Sequence, residues 1–432
     1  MIDRIAEGLS IATCFVQLIL GAIFCITLKM FFITRSKHIA KTLLEKNECR
    51  NVSPFAAVTV ALAGTLGVGN IVGVAASIHF GGAGSIFWMW VGAFFSMVLK
   101  YAEVVLSIKY RVKEKHEYFG GAFNYMKPQG VSTLFALLCI CASFSIGNFL
   151  QMNTLSDILQ NVCNVPKLYT GIFTFVIISV IIGKNIKIIS KFTSIVVPIA
   201  SIVYVVMCLT VIIKNYEQLP GIISMILRDA FDVKAGVGGA FALVFSRSMR
   251  YGITRGLITN EAGCGTAPIA HACADTDSAV RQGFWGIFEV FFDTFILCSL
   301  SAFVILSDTS HSFGYNIDYI LGRFSSVFGR SSDYLLTACI IMFATSTLIG
   351  WSQYGVISLK YVSKNKKSKH AYLLIYALLA ISGSIITSKL MWNIADITIG
   401  IMTLINSFFL FKKLDEIKAE TFHYFKPHGK RK

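Results

Sequence analysis

Long apolar runs separated by short polar segments dominate the chain. Runs of about 18 or more residues with few charges are typical of membrane-spanning helices, and they are too long for buried strands. About eleven such runs predict an all-α membrane protein with one extra N-terminal span and ten further spans, numbered 1 to 10. In order, they lie near residues 10–34, 54–79, 83–107, 131–160, 168–183, 192–213, 236–262, 284–306, 334–358, 371–388 and 391–411.

Two of the spans are interrupted by glycines. Span 1 contains "GTLGVGNIVG", residues 64–73, and span 6 contains "GITRGLITNEAGCG", residues 252–265. Unpaired backbone groups are costly in lipid, so a spanning helix unwinds where the freed groups gain a partner, and glycine tolerates the dihedral angles of the unwound segment. The alternative for Gly69 and Gly73 is close helix packing through a small-xxx-small pair.

The interrupted spans 1 and 6 are each the first span in a set of five consecutive spans. Two sets with an odd number of spans have opposite orientations in the membrane, which is the arrangement of inverted-repeat transporters. The sequence therefore predicts four segments. They are an N-terminal span and loop (1–52), a first repeat (53–213), a second, inverted repeat (214–411) and a basic tail (412–432).

Basic residues give the chain a net charge of +16 and a predicted orientation. Of the 39 Lys and Arg residues, 26 fall in alternate loops and the tail, which the positive-inside rule assigns to the cytoplasm. We therefore expect a multi-pass protein of the cell membrane with its N-terminus outside and its C-terminus in the cytoplasm. Because the charges are spread over many loops, they do not form a nucleic-acid footprint, and the basic tail is expected near anionic lipid headgroups.

Polar side chains recur inside spans 1, 3 and 8. Thr65 and Asn70 flank the glycines of span 1, Asn148 and Gln151 lie three residues apart in span 3, and span 8 contains a hydroxyl run, residues 345–347. Oxygen atoms of this kind bind a hard cation or the polar groups of an amino acid. The alternatives are hydrogen bonds between helices and hydroxyl bonds to the backbone of the same helix.

Charged residues inside spans are costly and are usually paired or functional. Lys100 and Glu103 in span 2 are one helical turn apart, so we expect them to pair. We expect Glu261 to pair with an arginine of span 6, and Asp293 of span 7 to join a network with the same arginines. The candidate arginines are Arg247, Arg250 and Arg255.

Enzyme and metalloprotein functions have little support. The 11 cysteines lie mostly in apolar runs without a CxxC pair, which is typical of small buried side chains, and His271 with Cys264 and Cys273 does not supply the four ligands of a zinc site. No nucleophile-elbow motif is present.

Five segments in order resemble the bacterial and archaeal sodium:alanine/glycine symporter family. They are "GVGNIVGVAASIHFGGAGSIFWMW", "SIGNFLQMNT", "RYGITRGLITNEAGCGTAPIAHACADTDSAVRQG", "FEVFFDTFIL" and "TLIGWSQYG". The resemblance runs from about Ser53 to the end of span 10. It implies the leucine-transporter-type fold, with spans 1 and 6 unwound, and inward transport of alanine or glycine, in some members D-alanine, together with sodium.

The resemblance also implies site residues and excludes a cofactor other than the coupling ion, sodium. The expected amino-acid site comprises Thr65, Gly67 and Asn70 of span 1, Gly147 and Gln151 of span 3, and Asn260 of span 6. The expected sodium ligands are Ala63, Leu66, Ser346 and Thr347.

The chain departs from the family pattern at three places, of which Gln353 and the Ile258-Thr259 pair bear on substrate size and selectivity. Ile258-Thr259 stands where Phe-Ser usually precedes the NEAG motif, Ser96 where glycine is common, and Gln353 follows Trp351 in a stretch that is usually rich in tyrosine. Two alternatives stay open, namely proton coupling through Asp293 or Glu289 and a non-transporting membrane receptor. The sequence leaves the oligomeric state open.

Overall fold

Helices make up nearly all of the protein. The computed structural model describes residues 2–45, 51–114, 117–184, 186–231, 247–308, 313–386 and 389–426. Within these ranges, 8 helices are long and apolar enough to cross a membrane, and a further pair of helices is bent by 62°. The long helices are Arg4–Thr27, Ser85–Tyr110, Gln129–Cys163, Ile186–Lys214, Ala279–Leu306, Ser331–Val362, Lys366–Ile385 and Leu390–Lys412, and the bent pair is Pro54–Thr65 with Val68–Gly81.

Two predicted spans take other forms. Span 4 is a helix of 15 residues, Lys167–Ile181. Span 6 comprises the helix Arg247–Asn260, an irregular turn over residues 261–266 and the short helix Ala267–His271. The first helix ends at Asn260, close to the predicted end at residue 262, and residues 236–246 of the prediction lie outside the described residues.

The extra N-terminal span ends earlier than predicted. Its helix stops at Thr27, because Lys29 and Met30 have left-handed backbone angles, with φ values of 54° and 45°. Short helices Phe31–Thr34 and Ser36–Leu44 follow. The predicted boundary at residue 34 was therefore wrong, since hydropathy does not record the backbone turn.

Spans 3 and 7 each contain a wide helical turn. Ser145–Phe149 in span 3 and Phe291–Cys298 in span 7 are π-helical. A π turn carries an extra residue and shifts the faces of the helix on its two sides, and such turns are frequent at functional sites.

The predicted tail is folded over its described part. Helix Leu414–Phe425 packs against span 2, where Tyr101 Oη and Thr421 Oγ1 are 2.7 Å apart and Tyr110 Oη donates to Glu416 Oε2 at 2.9 Å. Residues 427–432 lie outside the described residues.

The bundle has two ends that differ in charge. The hairpin end has a two-stranded antiparallel sheet, β1 (Val112–Glu114) and β2 (Glu117–Phe119), together with most of the basic loops. Lys360 pairs there with Glu114 at 2.6 Å, and Arg281 pairs with Glu45 at 2.6 Å. The opposite end has two peripheral helices, Leu219–Ala230 and Ile317–Phe328.

Apolar side chains cover the outside of the bundle, while polar ones lie within it. Phe173, Ile202 and Val180 are 69%, 64% and 63% exposed, whereas Lys100 and Asp293 are 0% exposed. Such an inverted distribution is expected when the surroundings are lipid rather than water.

Candidate functional site

The break in span 1 is short and sharp. Ser53 caps the N-terminus of helix Pro54–Thr65, and its side chain accepts a hydrogen bond from Ala56 N. The helix ends before Leu66, which has φ −77° and ψ 75°. Gly67 is extended, and a single 3₁₀ turn, Val68–Asn70, leads into helix Val72–Gly81. The 62° bend leaves backbone groups of the break without helical partners.

Side chains from spans 3 and 8 meet these backbone groups. Gln151 Oε1 accepts a hydrogen bond from Val68 N at 3.1 Å, and Thr347 Oγ1 lies 3.3 Å from Leu66 O. A Cβ atom at Gly67 would lie 2.8 Å from Gln151 Oε1 and 3.0 Å from Thr347 Oγ1. A side chain at this position would therefore have to displace Gln151 or Thr347.

A small cavity lies between this break and the end of the first helix of span 6. Its volume is about 20 Å³, and about 10–15 Å³ suffices for one water molecule. In this closed conformation an amino acid therefore needs the walls to move. The lining residues are Gly64, Thr65, Gly67, Val68, Gly69, Ile146, Leu150, Gln151, Ile258, Thr259, Glu261 and Trp392.

Two of the expected sodium ligands, Leu66 and Thr347, meet where span 1 touches span 8. A Cβ atom at Gly350 would lie 3.2 Å from Gly64 N and 3.5 Å from the carbonyl carbon of Ala63, so the two backbones are in direct contact. Ser346 Oγ and Thr347 Oγ1 both donate to Phe343 O at 2.9 Å. The carbonyl oxygen of Leu66 and the hydroxyl of Thr347 are oxygen ligands of the kind that a hard cation prefers.

Three expected substrate residues do not line the cavity. Asn70 Nδ2 donates to Asp293 Oδ1 at 2.7 Å. The Asn260 side chain forms hydrogen bonds at the break of span 6. Its Oδ1 accepts from Ala262 N at 3.0 Å, and its Nδ2 donates to Thr294 Oγ1 at 3.2 Å. Gly147 packs against the Trp351 side chain, which leaves no room for a Cβ atom. Thr65, Gly67 and Gln151 are thus the expected residues that the fold places at the cavity.

Asn148 and Gln151 were expected on one face of span 3, and they diverge. Asn148 Nδ2 donates to Tyr376 O in span 9 at 2.7 Å, whereas Gln151 faces the break in span 1. The π turn over Ser145–Phe149 changes the register that ordinary helical spacing assumes.

The predicted pairings of the buried charges were wrong. Lys100 Nζ pairs with Glu289 Oε1 at 3.0 Å rather than with Glu103. Glu261 Oε2 accepts a hydrogen bond from Thr266 Oγ1 at 2.6 Å, and Asp293 bonds to Asn70. Two of the arginines have other carboxylate partners, Glu7 for Arg250 and Asp396 for Arg255. Sequence spacing identifies neighbours along one helix, whereas the partners of Lys100, Asp293, Arg250 and Arg255 come from different helices.

Buried carboxylates hold the break of span 6 in place. Glu103 Oε1 accepts hydrogen bonds from Gly265 N at 2.8 Å and from Asn406 Nδ2 at 2.5 Å. Asn406 Nδ2 also donates to Gly263 O at 2.9 Å. Below the break, Glu289 contacts both Lys100 and His271, each at 3.0 Å. These bonds satisfy the backbone of the break from within the protein.

Several cavity residues were not predicted as site residues. Ile258 and Thr259 were noted only as departures from the family pattern, and both line the cavity. Trp392, near the start of span 10, carries no motif, and only the packing of span 10 over the cavity reveals its position.

Comparison with known proteins decides the family. A model described as the sodium:alanine symporter family matches residues 1–432. The chain belongs to this family. Its members are transporters, so the protein is a multi-pass membrane transport protein and not an enzyme.

Named relatives differ in the amino acid that their names give. The chain is 34% identical over 372 residues to the sodium/alanine symporter AgcS of Methanococcus maripaludis, covering 82% of this chain and 80% of AgcS. It is 31% identical over 400 residues to the probable sodium/glutamine symporter GlnT of Bacillus subtilis, covering 90% and 83%. It is 36% identical over 388 residues to an uncharacterized transporter of Haemophilus influenzae, covering 87% and 84%.

A solved structure shares the fold. The crystal structure of MhsT in complex with L-phenylalanine aligns with a TM-score of 0.64 at 14% identity, covering 87% of this chain and 93% of MhsT. MhsT has the leucine-transporter-type fold, which was expected for this chain.

Proposed function

We propose that the protein imports a small neutral amino acid, alanine (with D-alanine among the candidates) or glycine, in symport with sodium. The observation that carries the proposal is the approach of Thr347 Oγ1 to Leu66 O, 3.3 Å apart, at a break that also lines an internal cavity. One unwound segment thus supplies oxygen atoms for an ion and backbone groups for an amino acid. The names of AgcS and GlnT support sodium coupling and an amino-acid substrate.

The proposed sodium site comprises Leu66 O, Thr347 Oγ1, Ala63 O and Ser346 Oγ. The 3.3 Å distance between Leu66 O and Thr347 Oγ1 supports the first two, and the other two are proposed from the contact between spans 1 and 8. Sodium at this point would link the two spans and stabilise the bent form of span 1. The adjacent cavity would then be ready for the amino acid.

The proposed amino-acid site comprises Thr65, Gly67, Gln151 and Thr259. A free carboxylate would be favoured by the N–H groups at the start of the second helix of span 1, because helix N-termini attract anions. Val68 N already donates to Gln151 Oε1, and a substrate carboxylate is expected to compete for this donor.

We further propose that the hairpin end is cytoplasmic and that transport occurs by alternating access. The basic segments that meet at the hairpin end support this orientation by the positive-inside rule, with the N-terminus outside and the C-terminus in the cytoplasm. The broken spans that open residues 53–213 and 214–411 support two inverted five-helix repeats. Spans 1, 2, 6 and 7 would move against spans 3, 4, 8 and 9.

Proton coupling is the second candidate. Asp293 is fully buried, and its described partners are the neutral side chains of Asn70 and Thr294, at 2.7 and 2.9 Å. A buried carboxylate with neutral partners is a reasonable proton site. Glu289 is a weaker candidate because Lys100 and His271 already contact it.

Uptake into proteoliposomes separates the two candidates. Alanine and glycine uptake would be measured with an inward sodium gradient and, separately, with a proton gradient of equal size, at the same membrane potential. Sodium symport predicts accumulation with sodium alone, and the variant Asp293→Asn then keeps its sodium dependence. Accumulation with protons alone, abolished by Asp293→Asn, would instead establish proton coupling.

A further inference from the structure

Trp392 forms a wall shared by two cavities. On one side lies the small cavity of about 20 Å³ at the break of span 1. On the other side lies a vestibule of about 740 Å³ at the end opposite the hairpin, lined among others by Phe80, Tyr251, Arg255 and Asp396. The indole therefore separates the proposed amino-acid site from the vestibule.

An ion pair holds this indole in place. The guanidinium carbon of Arg255, in the first helix of span 6, lies 4.7 Å from the centre of the Trp392 ring. Arg255 Nη1 also lies 3.3 Å from Asp396 Oδ1, and the two side chains are only 13% and 11% exposed. Asp396 follows Trp392 by one helical turn, so both side chains lie on the same face of span 10. The lid, defined as Trp392, Arg255 and Asp396, thus joins spans 6 and 10 over the cavity.

The other side chains that line the cavity have little freedom to move. Ile146, Leu150 and Ile258 are at most 6% exposed. Gln151 is 5% exposed and has hydrogen bonds at both ends of its amide, from Val68 N and to Ile146 O. Among the lining residues, only Gly69 and Trp392 are partly exposed, and glycine has no side chain. A change in the size of the side chain at position 392 is therefore the change of the wall that disturbs the buried packing least.

We propose that Trp392 sets the upper size limit of the side chain that the protein transports. This inference rests on the proposed function, because it presumes that an amino acid occupies the cavity. A large, clamped ring above a very small cavity favours substrates with small side chains. The relatives named for alanine and for glutamine show that substrate size is a real variable within this family. A smaller residue at 392 should admit larger neutral amino acids.

Competition between alanine and glutamine tests the proposal. Sodium-driven initial rates of both amino acids would be measured for the wild type, Trp392→Phe, Trp392→Leu and Trp392→Ala in proteoliposomes. We expect the ratio of kcat/KM for alanine over that for glutamine to fall stepwise as the side chain shrinks, by at least about tenfold in Trp392→Ala, which corresponds to about 1.4 kcal/mol. Trp285→Ala is the matched control, because the Trp285 ring packs on Phe55 and Phe288 at 5.8 and 5.7 Å, away from both cavities.

The outcomes distinguish this inference from the proposed function. A constant ratio across folded Trp392 variants, or a wild type that prefers glutamine, would overturn the size limit. For a variant that binds but does not transport, the thermal shift produced by alanine is compared with the shift produced by glutamine. The preference for alanine in this comparison is expected to fall as the side chain at 392 shrinks. If Trp392→Ala does not assemble, the Phe and Leu variants decide the matter. A wild type that transports no neutral amino acid with sodium would refute the proposed function instead.

Discussion

The two broken spans solve the same physical problem in different ways. The break in span 6 is longer, and the protein itself satisfies its backbone through Glu103, Asn406 and the side chain of Asn260. The break in span 1 occupies two residues, and its polar neighbours, Gln151 and Thr347, lie beside a cavity. The comparison indicates that Asn260 and Gly263 of the NEAG motif serve the fold, whereas the glycine-rich motif of span 1 belongs to the proposed site.

The largest expected effect is at Gly67. Gly67→Leu should reduce sodium-driven uptake at least about 100-fold, which corresponds to about 2.7 kcal/mol, because the added atoms would occupy the space between Gln151 and Thr347. Gly67→Ala should give an intermediate loss. Uptake and the thermal unfolding midpoint in detergent would be measured together.

Gly73→Ala is the control for this substitution, since nothing lies within 4 Å of a Cβ atom at Gly73. It should retain uptake within about twofold, as expected for a substitution that makes no new contact. Normal uptake by Gly67→Leu would show that the glycines of span 1 serve packing alone.

The next effect concerns stability at the break of span 6. Asn406→Leu removes the donor to Gly263 O and one of the two donors to Glu103 Oε1, and an unsatisfied buried polar group costs about 1–3 kcal/mol. The unfolding midpoint should therefore fall. The sodium concentration for half-maximal uptake by the remaining folded protein should change by less than about twofold. A large change in sodium affinity with unchanged stability would contradict a structural role for this break.

A smaller effect is expected at the proposed sodium site. Thr347→Val keeps the shape of the side chain but removes the hydroxyl that faces Leu66 O. Loss of one ligand oxygen should raise the sodium concentration for half-maximal uptake by about tenfold, equivalent to about 1.4 kcal/mol. This sodium concentration is measured by titrating alanine uptake with sodium.

Thr345→Val serves as the matched control in the same hydroxyl run, because the Thr345 side chain is partly exposed, whereas Thr347 is buried against Leu66 O. An equal shift in both variants would show that the effect comes from the helix rather than from an ion site.

The sequence by itself determined the features that depend on local chemistry. Apolar runs predicted the spans because each must match the bilayer, and the cluster of glycines in span 1 predicted a break because glycine tolerates unwound backbone. The basic loops predicted a common end, and the fold brings Arg281 and Lys360 to the hairpin end.

Only the tertiary structure decided which polar residues meet. Spacing suggested that Lys100 would pair with Glu103, yet the partner of Lys100 is Glu289 from another span. The π turn in span 3 separated Asn148 from Gln151, and helix packing placed Trp392 over the cavity. Hydropathy describes whether each side chain prefers water or an apolar environment. Contacts between distant residues depend on helix rotation, bends and packing, which no local pattern specifies.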